Sequence, residues 1–293
     1  MNAEERLQAA CRIGVGFAES PGGLAALSWA VEETATRGAT LTVCHVRHGG
    51  DPHGAAPGLA ELELTDPALA RHIRAARQRL DNRSTVWLPH GDTVEALLDL
   101  SCRVDLLVVG AHDRGDPLHH AVPTRLAARA ACPVVVVRPA PGHRGGPFAG
   151  HVVVGTDGSA ASAAALRAGF AHAELHHVPL AVVEVDGRPA GDDYWVDDRF
   201  LETHFATVPA PLESLAGQVE PLMTRHPTVA VKRGVYGGDP VTGLRRAAAG
   251  AALLVLGRHG RPRPAVLRLG SVSREFAEHA DGVVEIVPES SAR

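Results

Sequence analysis

Three glycines and a serine follow the apolar run AALLVL near the end of the chain, at Gly257, Gly260, Gly270 and Ser271. The segment SVSREFAEHA, which begins at Ser271, has the character of a helix. A loop between a strand and a helix presents unpaired N–H groups and the positive end of the helix dipole to an anion. Glycine permits a close backbone approach, and Ser271 can cap the helix or donate its hydroxyl group to a phosphate oxygen. The spacing therefore predicts a phosphate-binding loop.

The same stretch carries much positive charge and no acid before Glu275. This charge fits neutralisation of a polyphosphate, although a solvated rim is the alternative interpretation for Arg261 and Arg263 individually. The arginines between 256 and 276 are Arg258, Arg261, Arg263, Arg268 and Arg274.

A second feature, TDGSAAS at 156–162, follows another apolar run. At a strand end, Asp157 can accept hydrogen bonds from ribose hydroxyl groups or hold a divalent cation. Gly158 permits a tight turn and Ser159 is a natural N-cap. The alternative is that Asp157 and Ser159 only cap a helix. Together with the glycine loop, the pattern favours a ligand site at one sheet edge.

Other clusters of polar residues predict less chemistry. His172 and His176 are four residues apart and so share a helix face, but HAELH lacks a third metal ligand at a telling spacing. The sequence has no GxSxG nucleophile elbow and no Walker lysine after the glycines. We therefore expect ordinary histidines, and no metal site. The acidic residues Asp192, Asp193, Asp197 and Asp198 are interpreted as a solvated face.

The elements that must position these residues occur twice. RIGVGFAES (12–20) is similar to VVVGTDGS (152–159), and 90–112 matches 237–259 at a constant offset of 147. Apolar runs alternate with helical segments in each half, which predicts an α/β fold with two tandem doubly wound parallel five-stranded sheets. PAPGHRGGP (139–147) is the predicted linker between domains at 1–140 and 148–293. Segment 187–211 is predicted to be a loop leading into a helix, with a lid or partner surface as the alternative.

Composition limits the class of protein. The net charge of −4 argues against a nucleic-acid-binding protein. The sequence contains no window of about 18 apolar residues, so no membrane span is expected. The start of the sequence lacks the features of a secretion signal, and the four cysteines form no CxxC pair. We expect a cytoplasmic protein whose cysteines are small buried apolar residues.

VVVGTDGSAASAAALRAG, the glycine loop and GSVSREF together resemble the universal stress protein family, in its tandem two-domain form. The resemblance implies a flavodoxin-like or adenine-nucleotide α-hydrolase-like fold that binds ATP, with Mg²⁺ as a further candidate ligand. It also implies that Asp157 contacts the ribose and that the backbone of Val185 contacts adenine. The phosphate-binding residues implied in this way are Gly257, Arg258, Gly260, Gly270 and Ser271, with Ser273 and His259 in supporting roles.

The motif is degenerate in the first half. Ala18 stands where the second half has Asp157, and Asp113 stands where it has Gly260. Pro123 and Thr124 replace the final Gly-Ser pair, and Pro123 has no N–H group to offer. We therefore expect the first domain to be a structural partner of the second. The resemblance implies that the two domains pair through their last strands; whether the chain also forms a homodimer is left open.

The leading hypothesis is an ATP-binding regulatory protein of a stress response, in which the C-terminal domain holds the nucleotide and an unknown protein partner responds. A slow ATPase, or an enzyme of adenylyl or phosphoryl transfer on the same fold, is one alternative. An interaction module with a vestigial site is the other.

Overall fold

A computed structural model describes residues 11–47, 66–111, 121–139, 145–189, 191–197, 210–260, 269–279 and 281–289. The chain divides into two units, Met1–Pro139 and Ala140–Arg293. In each unit, short apolar runs form parallel strands that alternate with helices, as the sequence pattern predicts. Unit 1 and unit 2 are the names used below for these two parts of the chain.

In its described residues, unit 1 contains five parallel strands in the order β3-β2-β1-β4-β5. The order reverses between β1 and β4, which is the point where doubly wound sheets open a crevice for ligands. The strands are β1 (Arg12–Gly16), β2 (Thr40–Cys44), β3 (Ser84–Trp87), β4 (Leu106–Gly110) and β5 (Val134–Val137).

Unit 2 repeats this topology, with β6 and β10 at the point of reversal. Its order is β11-β10-β6-β7-β9-β8, in which five strands are parallel and β8 is antiparallel to β9. The strands are β6 (Val152–Thr156), β7 (Leu180–Asp186), β8 (Tyr194–Asp197), β9 (Val231–Gly237), β10 (Leu253–Gly257) and β11 (Val283–Val287).

The helices of both units begin where a short polar side chain can satisfy the first free N–H groups. Ser20, Asp66, Asp92, Ser159 and Asp239 each accept a hydrogen bond from the amide three residues ahead. In the described ranges, the helices are α1 (Pro21–Thr36), α2 (Pro67–Arg79), α3 (Thr93–Ser101), α4 (Ala121–Arg129), α5 (Ala160–His176), α6 (Ala210–Arg225), α7 (Pro240–Ala247) and α8 (Ser271–His279).

The core of each unit consists of strand residues packed between helices. Every residue of β5, β6 and β10 is buried, in agreement with the prediction of strands covered on both faces. None of the helices in the described part of the chain combines the length and apolar character needed to traverse a bilayer. The cysteines differ from the prediction in part, because Cys44 and Cys132 are buried but Cys102 is exposed.

The loop predicted for 187–211 is wrong in part, because this segment contains β8. Tyr194–Asp197 pairs along β9, from Tyr194 opposite Val235 to Asp197 opposite Lys232. Unit 2 therefore has a sixth strand beyond the five that were predicted. Trp195 of β8 is 47% exposed, whereas the next residue, Val196, points to the other face of the strand and is 4% exposed. Residues 198–209 of the segment lie outside the described residues.

Candidate functional site

The predicted site residues of unit 2 converge at the carboxyl ends of β6, β7 and β10. A cavity of about 530 Å³ opens there. Its lining includes Asp157 after β6, Val185 on β7, Gly257 at the end of β10 and Ser271 at the start of α8. The sheet topology explains this convergence, because neighbouring parallel strands bring their carboxyl ends to one edge at the point of reversal.

Asp157 is held in place by the turn into α5. Its Oδ1 accepts a hydrogen bond from the amide of Ser159 at 3.0 Å, and Ser159 in turn caps α5 by accepting from the amide of Ser162 at 3.2 Å. Gly158 has φ +78°, which an L side chain rarely adopts. The turn therefore fixes the carboxylate at the mouth of the cavity and leaves Oδ2 directed toward the glycine loop, where a Cβ on Gly260 would meet it.

The loop after β10 is closed by its own backbone. The amide of Arg258 donates to the carbonyl oxygen of Val287 at 2.7 Å, and its carbonyl oxygen accepts from the amide of Gly270 at 2.9 Å. This bond brings the two ends of the loop together in front of α8. Arg258 does not appear among the described residues that line the cavity, although His259 and Gly260 do. The other loop arginines, Arg261, Arg263 and Arg268, lie outside the described residues.

Gly260 stands against Asp157. A Cβ on Gly260 would lie 2.6 Å from Asp157 Oδ2. Such a contact is shorter than real Cβ atoms show, so any side chain at this position would displace the carboxylate. Glycine is therefore needed at position 260 to keep Asp157, the residue predicted to contact the ribose, in its observed position.

Gly257 has a different requirement. A Cβ on Gly257 would lie 2.7 Å from the backbone of Ala161, so the glycine lets β10 pack closely on α5. Unit 1 has the same arrangement, since a Cβ on Gly110 would lie 2.3 Å from the backbone of Gly22 on α1. Unit 1 keeps this glycine without the rest of the motif, which indicates that packing alone accounts for it.

The start of α8 differs from the prediction in one respect. The carbonyl oxygen of Gly270 accepts from the amide of Arg274, so Gly270 occupies the N-cap position and Ser271 is the first helical residue. Of the two roles considered for Ser271, the N-cap is therefore excluded, and its exposed side chain lines the cavity. Ser273 is buried, and its hydroxyl group donates to the carbonyl oxygen of Gly257 at 2.7 Å, which ties α8 to the end of β10.

Val185 lies past the end of strand pairing on the side of β7 that faces β6. The pairing of β6 with β7 ends at Thr156 opposite Glu184, whereas β7 continues through Val185 and Asp186 beside β9. The backbone edge of Val185 that faces β6 therefore lies beyond the last paired residue. Its side chain packs near α7, since a Cβ on Gly243 would lie 2.9 Å from Val185 Cγ1.

Three further residues of the site, Thr156, Gln218 and Glu184, were not predicted from the sequence. Thr156 Oγ1 accepts from the amide of Gly158 at 3.2 Å and donates to Gln218 Oε1 on α6 at 2.7 Å. Gln218 and Glu184 line a second cavity of about 600 Å³ that also contacts Asp157 and Gly260. Thr156 adjoins the recognisable motif, but Gln218 comes from a helix about 60 residues away and only the fold brings it here.

The insertion with β8 stabilises the far wall of the site. Asp193 accepts from the Arg246 guanidinium at 2.8 and 2.9 Å and from the amide of Gly237 at 3.1 Å. Burial favours a higher pKa for Asp193, but these hydrogen bonds and the positive charge of Arg246 outweigh it and lower the pKa. The pair fixes α7, which contributes Leu244 to the cavity. Burial also raises the pKa of Tyr236, on β9 beside this network, to about 12.

The equivalent edge of unit 1 lacks the polar groups of the motif. Ala18 provides no carboxylate after β1, and Glu19 replaces the turn glycine. Pro123 and Thr124 lie inside the first turn of α4, which begins at Ala121, rather than ahead of the helix. Asp113 lies outside the described residues.

Fold and site together define a tandem α/β protein with a ligand crevice in its second unit. The model of the Universal stress protein family matches residues 11–138 and 149–288. A universal stress protein of Mycolicibacterium smegmatis is 31% identical over 299 residues, covering 93% of this chain and 95% of that protein. A crystal structure of a universal stress protein from Archaeoglobus fulgidus covers 94% of this chain and 96% of its own, with 15% identity and a TM-score of 0.61.

A universal stress protein solved in complex with cAMP also aligns, over 45% of this chain and 98% of its own, with 22% identity and a TM-score of 0.34. The two family matches together span most of the sequence. The chain therefore belongs to the universal stress protein family, and it carries the family's domain twice.

Proposed function

We propose that unit 2 binds ATP in the crevice at the carboxyl ends of β6, β7 and β10. In this proposal Asp157 accepts from the ribose hydroxyl groups and the backbone of Val185 contacts the adenine. The N–H groups of Gly260 and of the first turn of α8 donate to the phosphates, and Gly270, whose own amide is bonded to the carbonyl oxygen of Arg258, lets them approach the backbone closely. Mg²⁺ is a further candidate ligand. Unit 1 supplies the structural partner of unit 2.

One observation carries the proposal. Asp157 and Gly260 stand so close that only a glycine fits, and both line the same cavity as the N-terminus of α8. A hydrogen-bond acceptor for sugar hydroxyl groups and a set of N–H donors for anions thus face one space. A nucleotide combines those two chemistries in one molecule, whereas free phosphate or a free sugar would use only one of them.

We further propose that the bound nucleotide regulates a protein partner in a stress response in the cytoplasm. All four cysteines are free, as expected for a reducing compartment. Turnover is not part of the proposal. The charge of Arg258 and of the other loop arginines would act at long range on the phosphates.

Calorimetric titration of the full chain with ATP tests the proposal. We expect Asp157→Ala to weaken binding by roughly 10- to 150-fold, because a hydrogen bond to a charged group contributes about 1.5–3 kcal/mol. Asp99→Ala is the matched control. That carboxylate is exposed on α3 of unit 1, and we expect its loss to leave ATP affinity unchanged.

The outcomes separate the three hypotheses. ATP binding that is tight, sensitive to Asp157→Ala and accompanied by no ADP release supports the regulatory function. Release of ADP over many cycles, abolished in the same variant, would replace it with the enzymatic alternative. If ATP and AMP fail to bind the wild-type chain at all, the site is vestigial and the proposal is wrong.

A further inference from the structure

The carboxyl edge of unit 1 carries basic residues at the end of β2, where unit 2 has acidic residues at the end of β7. Arg47 follows β2 and pairs in parallel with His90, which follows β3. His45 lies two residues before Arg47, so the two side chains leave the extended backbone on the same face. Three basic residues thus meet at the end of two neighbouring strands.

A fourth basic residue, His72, joins this cluster near the end of β1. Phe17 follows β1, is 4% exposed and stands 6.5 Å from the ring of His45, centroid to centroid. His72 approaches the same phenyl ring from α2, at 5.7 Å. The carbonyl oxygen of Phe17 lies 3.0 Å from His45 Nδ1, which fixes that imidazole. His45, Arg47, His72 and His90 are called the basic edge below.

Two nitrogens of the basic edge are buried without a partner. Within the described structure, neither Arg47 Nε nor His90 Nε2 has a hydrogen-bond partner, and both atoms are shielded from solvent. A buried donor that makes no hydrogen bond destabilises the fold, and the cost is greater when the donor is charged. Native proteins rarely keep such groups without a use. Both nitrogens belong to side chains that are only partly buried, so a ligand can reach them once those side chains turn outward.

Comparison of the two units shows that the charge is inverted at equivalent positions. Gly16 of β1 pairs with Cys44, and its counterpart Gly155 of β6 pairs with Val183. One residue further on, unit 1 has His45 where unit 2 has Glu184. Three residues further on, unit 1 has Arg47 where unit 2 has Asp186. The end of β2 therefore carries basic residues where the end of β7 carries acidic ones, of which Asp186 is paired with Arg188 at 2.8 Å.

We propose that the basic edge of unit 1 binds a phosphate group, either inorganic phosphate or the phosphate of a small monoester. Arg47 and His90 donate to its oxygens through the two nitrogens that lack partners, and His45 and His72 add positive or donor character beside them. The site does not require a nucleoside, because Ala18 offers no acceptor to a ribose. This site is independent of the nucleotide crevice in unit 2.

Titration of the ¹⁵N-labelled full chain with inorganic phosphate tests the proposal through the imidazole signals of His90. The Gly260→Asp background is used to suppress phosphate binding in unit 2, and the local reporter keeps the two sites distinguishable if that suppression fails. We expect the His90 signals to shift with phosphate and not with chloride at equal ionic strength.

Variants of the basic edge decide the result. We expect Arg47→Met to weaken the phosphate response of His90 by at least about tenfold, the effect of losing one charge-assisted hydrogen bond. Arg47→Lys keeps the charge but removes Nε, so its phosphate affinity is expected to lie between those of the wild type and Arg47→Met. This second variant keeps the proposal testable if Arg47→Met does not fold. Arg79→Met is the matched control, since Arg79 is an exposed arginine of α2 paired at 3.8 Å with Glu32. Equal shifts with phosphate and chloride, or equal affinity in Arg47→Met and Arg79→Met, would overturn the proposal.

Discussion

A single methyl group at Gly260 should remove most of the nucleotide affinity of unit 2. In Gly260→Ala the new Cβ would lie 2.6 Å from Asp157 Oδ2, whereas ordinary contact begins at 3.4 Å. The carboxylate must therefore move by about 0.8 Å, which takes a hydrogen bond of ordinary length beyond its working distance. Loss of that bond to ribose corresponds to about 1.5–3 kcal/mol, or roughly 10- to 150-fold in the dissociation constant for ATP.

The fold should survive this change. Gly260 is exposed and has no positive φ, and the atom it would meet is the end of a side chain. We expect the free energy of unfolding to change by less than about 0.5 kcal/mol. The control is Gly187→Ala, which lines the same cavity but whose Cβ would meet no atom within 4 Å. Its affinity for ATP should stay within about threefold of the wild-type value.

A double-mutant cycle gives the decisive measurement. In the Asp157→Ala background the crowded carboxylate is already gone, so adding Gly260→Ala should cost almost nothing further in calorimetric titrations with ATP. The coupling energy between the two positions should then approach the full effect of the single substitution. If Gly260→Ala costs the same in both backgrounds, the glycine does not act through Asp157 and the reasoning fails.

Three further predictions concern stability and reactivity. Asp193→Asn should lower the free energy of unfolding at pH 7, measured by denaturant titration, by about 1.5–3 kcal/mol. Because the pKa of Asp193 is lowered in the fold, this difference between variant and wild type should shrink as the pH falls through that pKa. A difference that grows at low pH would contradict the prediction. Tyr236→Phe should raise stability by about 1 kcal/mol in the same assay, since the buried hydroxyl group has no partner in the described structure; a loss of stability would contradict this. A thiol reagent at pH 8 should modify exposed Cys102 first and spare Cys44, whose pKa burial raises to about 12, until unfolding; early modification of Cys44 would contradict it.

The parallel strands were predictable because burial on both faces requires continuous apolar runs. VVVV in β5 and LLVLG in β10 leave few alternatives once helical segments flank them. The helix starts at Ser20 and Ser159 follow from local chemistry, since a hydroxyl group before an Ala-rich segment satisfies the first amides. These signals are local, so a single sequence contains them.

The remaining features depend on partners far away in the sequence. YWVD of β8 is a short polar-flanked run, and it becomes a strand only because β9 offers a free edge. The contact between Thr156 and Gln218 joins residues 62 positions apart. The basic edge of unit 1 is equally non-local, because Arg47 and His90 are brought together by pairing that no short-range pattern encodes.

The close packing of Gly257 on α5, matched by Gly110 on α1, changes how similar chains should be read. A sequence search that counts this glycine as evidence for a bound ligand will also select domains in which the glycine only allows close packing of a strand on a helix. The informative position is that of Gly260, three residues further on, where the fold itself tolerates a side chain and only the carboxylate of Asp157 opposite does not. Duplicated domains can therefore be sorted into binding and non-binding copies by that one residue together with the acid it faces.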